Sequence, residues 1–262
     1  MIKTKPLEEI IKLCIYSDYV KNERPVSLLI VAKPESGKTE VLRLFKVNNG
    51  IAYITDITKF GLESILLPKI ERGEIRRIII PDFLKVLGRS KSARKNIITL
   101  LNALVEEGVV SIQTFLTHQE FKKEVKCGLI TAITSFEFFR GLGGYGFLTR
   151  LLPFSYSYDL PTVNKIFKYL ISEKYKEENP IKLKLPKRDK EIKLSPRLAE
   201  KLIPISSSIG QHLKIYGFRI QRHLQILAKA SALERGSKKV TMKDINRIIK
   251  LSKWMNLKMM YL

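Results

Sequence analysis

Along its first half the chain alternates short apolar runs with stretches of helical spacing. Val26-Ser-Leu-Leu-Ile-Val-Ala32 is a continuous apolar run, the pattern of a strand buried on both faces, and residues 39–46 follow it with helical periodicity. Residues 50–55 and 75–80 read as two more strands, the second stopped by Pro81. Between them, residues 59–71 have helical spacing and end at Gly73. Residues 92–107 predict a helix carrying Ile97, Ile98, Leu101, Leu104 and Val105 on one side and closed by Gly108. Residues 109–114 and 129–134 again have strand character. An opening helix over 4–21, with Ile10, Ile11, Leu13 and Cys14 on one side, precedes them all. Strands alternating with helices at this spacing predict a parallel α/β sheet.

The pattern changes near Pro161. Residues 173–196 are rich in Lys and Glu and carry three prolines, which predicts a solvated connection. Helical segments follow at 197–203, 206–216, 219–234 and 241–255. The chain therefore divides into an α/β core over 1–160 and a helical C-terminal part over 161–262.

Charge sharpens this division. The 262 residues hold 48 Lys and Arg against 25 Asp and Glu, a net charge of +23. Basic groups outnumber acidic ones 24 to 17 through residue 160, but 24 to 8 after it. Such an excess favours a polyanionic partner through counterion release, and nucleic acid is the expected one. A generally Lys-rich surface is the plainer explanation. No apolar run approaches the length needed to span a bilayer. Cys14 and Cys127 offer neither a disulfide framework nor a metal-ligand spacing, so a reduced, cytoplasmic setting is expected.

One segment carries recognisable chemistry. Ala32-Lys33-Pro34-Glu35-Ser36-Gly37-Lys38-Thr39 is one residue short of the phosphate-binding loop G-x-x-x-x-G-K-[ST], and it stands between a strand and a helix. Residues 33–40, Glu40 included, would face a polyphosphate, all but Pro34 through backbone N–H groups. Lys38 would reach the β- and γ-phosphates of ATP, and the Thr39 hydroxyl would sit on Mg²⁺. Ala32 replaces the first Gly, which is acceptable if its φ is negative. Such a site needs an acid at the end of a neighbouring strand, and Ile80-Pro81-Asp82-Phe83 supplies Asp82. Either Asp82 holds the metal and Phe83 stands where a base would be, or Pro81 replaces the metal acid and Asp82 is the base. Asp56, Glu40, Glu106 and Glu107 are further candidates for the base.

With these residues in view the chain resembles the AAA+ ATPases over roughly residues 26–250. Thr99-Leu-Leu-Asn-Ala-Leu-Val-Glu-Glu-Gly-Val-Val-Ser-Ile112 is similar to the helix that enters the pre-sensor-1 hairpin in MoxR-type and MCM-type members. Leu129-Ile-Thr-Ala-Ile-Thr134 resembles the sensor-1 strand, which makes Thr134 the polar group near the γ-phosphate. Gly146-Phe-Leu-Thr-Arg150-Leu-Leu-Pro is similar to the arginine-finger segment, and Gly217-Phe-Arg219-Ile-Gln-Arg222 to the start of the lid helix, with Arg219 as sensor 2 and Arg222 as its fallback. The resemblance implies a three-layer P-loop NTPase core with a parallel sheet and a C-terminal all-α lid. It implies ATP hydrolysis with Mg²⁺, Asp82, Thr134 and Arg219 serving the chain's own nucleotide, and Arg150 lent to a neighbour in a ring, by analogy a hexamer. Lys122, Lys123 and Lys126, after the hairpin, would touch DNA in the pore, or form a solvated helix face. The function implied is DNA remodelling in replication initiation, helicase loading or strand separation. The alternatives are a MoxR-like remodeller of proteins and a nucleotide-gated binding module that hydrolyses weakly. The glycine-rich run 141–146 would be a mobile interface element or an ordinary surface loop.

Overall fold

The computed structural model describes residues 5–113, 118–141, 146, 149–172 and 179–255. Helix α1 (Lys5–Ser17) leads into β1 (Leu28–Ala32), α2 (Lys38–Leu44) and β2 (Ile51–Tyr53). A helical run follows, made of α3 (Lys59–Gly61), a π-turn (Leu62–Leu66) and α4 (Leu67–Glu71), and then β3 (Arg77–Ile80). After α5 (Leu84–Leu87) and α6 (Lys91–Asn102), a second π-turn (Ala103–Glu107) enters an antiparallel hairpin of β4 (Val109–Gln113) and β5 (His118–Val125). The chain continues through β6 (Gly128–Thr134), α7 (Ser135–Gly141), β7 (Leu152–Tyr156) and α8 (Leu160–Ile171). The C-terminal helices are α9 (Pro196–Glu200), α10 (Ile203–His212), α11 (Phe218–Glu234) and α12 (Met242–Leu251).

Five strands pair in parallel in the order β2-β3-β6-β1-β7. All five residues of β1 are buried, and they divide by alternation. Leu28 and Ile30 join one apolar cluster with α1, α2 and α10–α12; Leu29 and Val31 join another with α4–α6 and the hairpin. The result is an α/β molecule with helices on both faces of the sheet, as strands that read apolar throughout require. Each such Leu or Ile side chain contributes about 1.5–3 kcal/mol through burial. Among the described residues, no helix is long and apolar enough to cross a membrane.

Two expectations change in detail. Helix α1 is buried on more than one side, Leu7, Ile10, Ile11, Leu13, Cys14 and Ile15 all being enclosed, because it lies between the sheet and α11. Residues 179–194 are not a loose connection. Ile181, Leu183, Leu185, Ile192 and Leu194 anchor them on the first cluster, and the backbone is pinned through Ile181 N–H to the Leu44 carbonyl (2.8 Å) and Lys190 N–H to the Tyr19 carbonyl (2.8 Å).

The α1 end is tied to β3 by a buried charge. Arg77 is wholly inaccessible and donates to both Asp18 oxygens and to the Val26 carbonyl (2.7 Å). Its register partner on β6 is Gly128, where any Cβ would collide with the guanidinium. Removing one member of a buried pair leaves the other charge unsolvated, so Asp18→Asn is expected to cost about 3–5 kcal/mol in urea unfolding. The double replacement Arg77→Met with Asp18→Leu should recover most of that loss. Equal destabilisation by the single and double changes would contradict this account of the pair.

Candidate nucleotide-binding site

In a parallel sheet all strands end on the same edge, and the loop after β1 lies on it. Ala32 is in register with Thr134 of β6 and with Tyr156 of β7, so these two residues flank the loop where it leaves the sheet. Ala32 lies within the strand and takes no positive φ, which is why Gly is not needed there. The left-handed turns fall later, at Glu35 (φ 59°) and Gly37 (φ 80°). Lys33, Pro34 and Glu35 are exposed, Ser36 is buried, and Thr39 and Glu40 are exposed on the first turn of α2.

Lys38 is folded back into its own loop. Its Nζ donates to the carbonyls of Ala32 (3.0 Å) and Lys33 (2.7 Å) and to Ser36 Oγ (3.1 Å). Burial pulls the ammonium down to about 8, while Asp82 and Glu40 act in the opposite direction. Tyr156 and Tyr158 both donate their hydroxyls to the Ser36 carbonyl, at 2.9 and 2.7 Å. Burial raises both phenols, so they remain neutral donors. Two phenols on one carbonyl, and one ammonium on three oxygens, brace the loop.

Asp82 follows β3 on the same edge. One of its oxygens accepts from Leu84 N–H (3.0 Å). Phe83 is fully buried in the second cluster, and its N–H bonds the Ala132 carbonyl of β6 (2.9 Å), so position 83 does not face the loop. Because β6 lies between β1 and β3, Thr134 ends between the loop and Asp82. Its hydroxyl accepts from Glu137 N–H (3.3 Å) at the start of α7. Thr39 and Asp82 are hard oxygen donors, the kind Mg²⁺ takes together with phosphate oxygens, and no cluster of three or more His, Cys, Asp or Glu among the described residues offers a cage for another metal.

Of the other candidates for a base, Glu40 stays exposed beside the loop, and the rest are engaged elsewhere. Asp56 is held by Arg89 at 2.8 and 2.9 Å, and those hydrogen bonds keep its carboxyl below the usual range. Glu106 and Glu107 end the second π-turn and belong to a separate cluster. There Arg150 Nε lies 2.8 Å from Glu106, Arg150 also reaches Glu107 (3.3 Å), and Arg219 pairs with the other Glu106 oxygen and with Thr149 (3.2 Å). Arg24, Arg222 and His223 line the same small cavity.

Arg219, expected to serve the chain's own nucleotide, is held in this cluster with Arg150. Arg24 precedes β1 and Arg150 precedes β7, which puts them at the edge where the parallel strands begin. Strands of five residues at about 3.3 Å per residue separate that edge from the loop by roughly 15 Å. Arg219 is therefore grouped with Arg150, as is its fallback Arg222, and Glu106 is no base for the same loop. Tyr156, Tyr158 and the bridging role of Glu106 were not foreseen. The alternation of Phe154, Tyr156 and Tyr158 after Arg150 is the signal that could have revealed the first two.

The hairpin also differs from expectation. Lys122 and Lys123 lie on β5 itself and are exposed, while Lys126 follows the strand and pairs with Glu124. No solvated helix face exists there. The hairpin tip (114–117), the glycine-rich residues 142–145 and the tail after Met255 lie outside the described residues.

His223 adds a pH dependence. Its Nδ1 is buried and has no hydrogen-bond partner among the described residues. Burial, reinforced by Arg219 and Arg222, lowers the imidazole to about 4. Because the unfolded residue titrates near 6.5, the unfolded state takes up the proton first. Stability is then complete above about pH 6.5 and falls toward pH 4, by at most about 3 kcal/mol. His223→Gln should flatten that part of a urea-midpoint profile, and an unchanged slope would refute the assignment. No protein-family model and no curated protein matches the chain, so its function rests on this geometry.

Proposed function

We propose that the protein is an AAA+-type P-loop ATPase whose subunits associate head to tail in a ring and act on DNA. The observation that carries this reading is the shared edge: a lysine-braced loop, the Thr39 hydroxyl, Asp82 and Thr134 converge on one end of a parallel sheet. A nucleotide there would set its phosphates against residues 33–40, with Lys38 turning from the loop carbonyls to the β- and γ-oxygens. When bound, Mg²⁺ would draw charge from the phosphoryl group, held by Thr39 and Asp82. Thr134 would orient the attacking water.

The arginine pair at the opposite edge supports association. Arg150 and Arg219 are gathered around one carboxylate, Glu106, at the edge where the strands begin. A heterologous contact that brings this edge to the next subunit's loop would exchange Glu106 for a transferring phosphoryl group. Turnover would then depend on assembly. The burial of Phe83 favours a second reading, a nucleotide-gated module with slow hydrolysis, because it leaves Asp82 as the acid at the loop beside Glu40.

The test is the ATP turnover rate with and without DNA, together with the particle mass in ATP. An assembled particle stimulated by DNA is expected. A monomer whose rate ignores DNA would overturn the proposal, and assembly without turnover would favour the gated module.

A further inference from the structure

We propose that the pinned segment over residues 181–194 is a sequence-independent contact surface for the DNA backbone. It rests on the DNA part of the reading above and not on the nucleotide part. The segment alternates: Ile181, Leu183 and Leu185 face the core, while Lys182 and Lys184 are exposed. Lys187, Arg188, Lys190 and Lys193 continue the exposed set, so residues 182–193 hold six basic groups against Asp189 and Glu191. Asp189 is already taken by Arg76 (2.7 Å). The six make no ion pair among the described residues, which leaves their charge for an external partner.

The platform beneath them is fixed at several points. Asn48 accepts from Leu183 N–H (2.7 Å) and donates to the Ile181 carbonyl (2.8 Å). The Tyr16 hydroxyl holds the Lys184 carbonyl (3.0 Å), and Lys21 N–H holds that of Lys190 (2.9 Å). Lys193 N–H bonds the Lys238 carbonyl (2.9 Å), which brings Lys238 and Lys239 alongside and makes a groove of about 770 Å³ with Ile192 and Leu233 in its lining. Lys182 and Lys184 are two apart in the alternating stretch, a spacing that on extended backbone is about 6.6 Å, close to twice the rise per phosphate along one DNA strand. Such a surface reads phosphates and not bases. The hairpin is a weaker candidate, since Glu120 and Glu124 alternate with its lysines and Lys126 is paired.

The test is anisotropy of a labelled mixed-sequence duplex over a salt series, without nucleotide. The variant carries Lys182→Ser, Lys184→Ser, Lys187→Ser and Lys190→Ser. At about 0.1 M salt it should bind about 100-fold more weakly, and its slope of log affinity against log salt should be shallower by about three. A variant with Lys122→Ser, Lys123→Ser and Lys126→Ser should lose far less. Acylation of lysines in the wild-type protein, with and without DNA, gives a second readout that needs no variant, and protection of the 182–193 lysines is expected. An unchanged salt slope with no protection would overturn the proposal, as would loss of binding to phosphatidylserine vesicles with DNA binding intact. ATP binding measured in parallel separates the two readings: its absence in the wild-type protein would sink the ATPase and leave the DNA surface standing.

Discussion

Lys38→Ala is expected to weaken ATP binding by at least about 100-fold, the equivalent of roughly 3 kcal/mol. The ammonium has two functions that Ala lacks. Without nucleotide it satisfies the Ala32 and Lys33 carbonyls and Ser36, and with nucleotide it would supply charge-assisted hydrogen bonds to phosphate. Removing it leaves buried acceptors facing each other and a bound anion without its cation. Lys38→Arg should fail to rescue, because a planar guanidinium does not fit among three oxygens arranged around one nitrogen. Titration calorimetry with ATP and Mg²⁺ reads the effect. Affinity within a few-fold of the wild-type protein would remove the loop from the account.

Arg150→Ala and Arg219→Ala should each reduce kcat about 1000-fold while leaving the ATP dissociation constant nearly unchanged. This split follows from the topology. Both guanidiniums lie at the edge where the strands start, so neither contributes to the ground-state site of its own chain, and both would act on the charge that develops at a neighbour's phosphoryl group. If Arg219→Ala instead weakened ATP binding in dilute, unassembled protein, it would be serving its own loop, and the grouping with Arg150 would have no catalytic meaning.

Much of the core was legible in the chain because its strands are buried on both faces. Leu28–Ala32 and Gly128–Thr134 are apolar almost throughout, and a parallel sheet needs that composition. The C-terminal helices were also legible, since α11 runs without Gly or Pro and α12 is strongly amphipathic and opens with a Thr241–Asp244 capping box. Among the elements that escaped, β7 is buried but broken in pattern by Pro153 and Ser155, whereas β5 and α8 leave most of their residues exposed. β5 reads His-Gln-Glu-Phe-Lys-Lys-Glu-Val, with only Val125 buried, and α8 buries only Thr162. In the site, the loop and Asp82 could be found from type and spacing. The partnership of Arg150, Arg219 and Glu106 could not, because it joins residues up to 113 positions apart through the crossing of three elements. The alternation of Phe154, Tyr156 and Tyr158 marks the two tyrosines as one strand face, but their meeting with the Ser36 carbonyl depends on the Ala32–Tyr156 register between distant strands.

The central claim is a site completed by two subunits, and mixing two inactive variants tests it most directly. On the proposed reading, Lys38→Ala would keep its arginines but not hold nucleotide, while Arg150→Ala would hold nucleotide but have no finger to lend. Mixed at equal concentration, the pair should recover a substantial fraction of wild-type ATP turnover, because interfaces that join an intact loop to an intact arginine form in the mixed ring. Turnover no greater than the sum of the two separate variants, in particles shown to have exchanged subunits, would contradict the shared site.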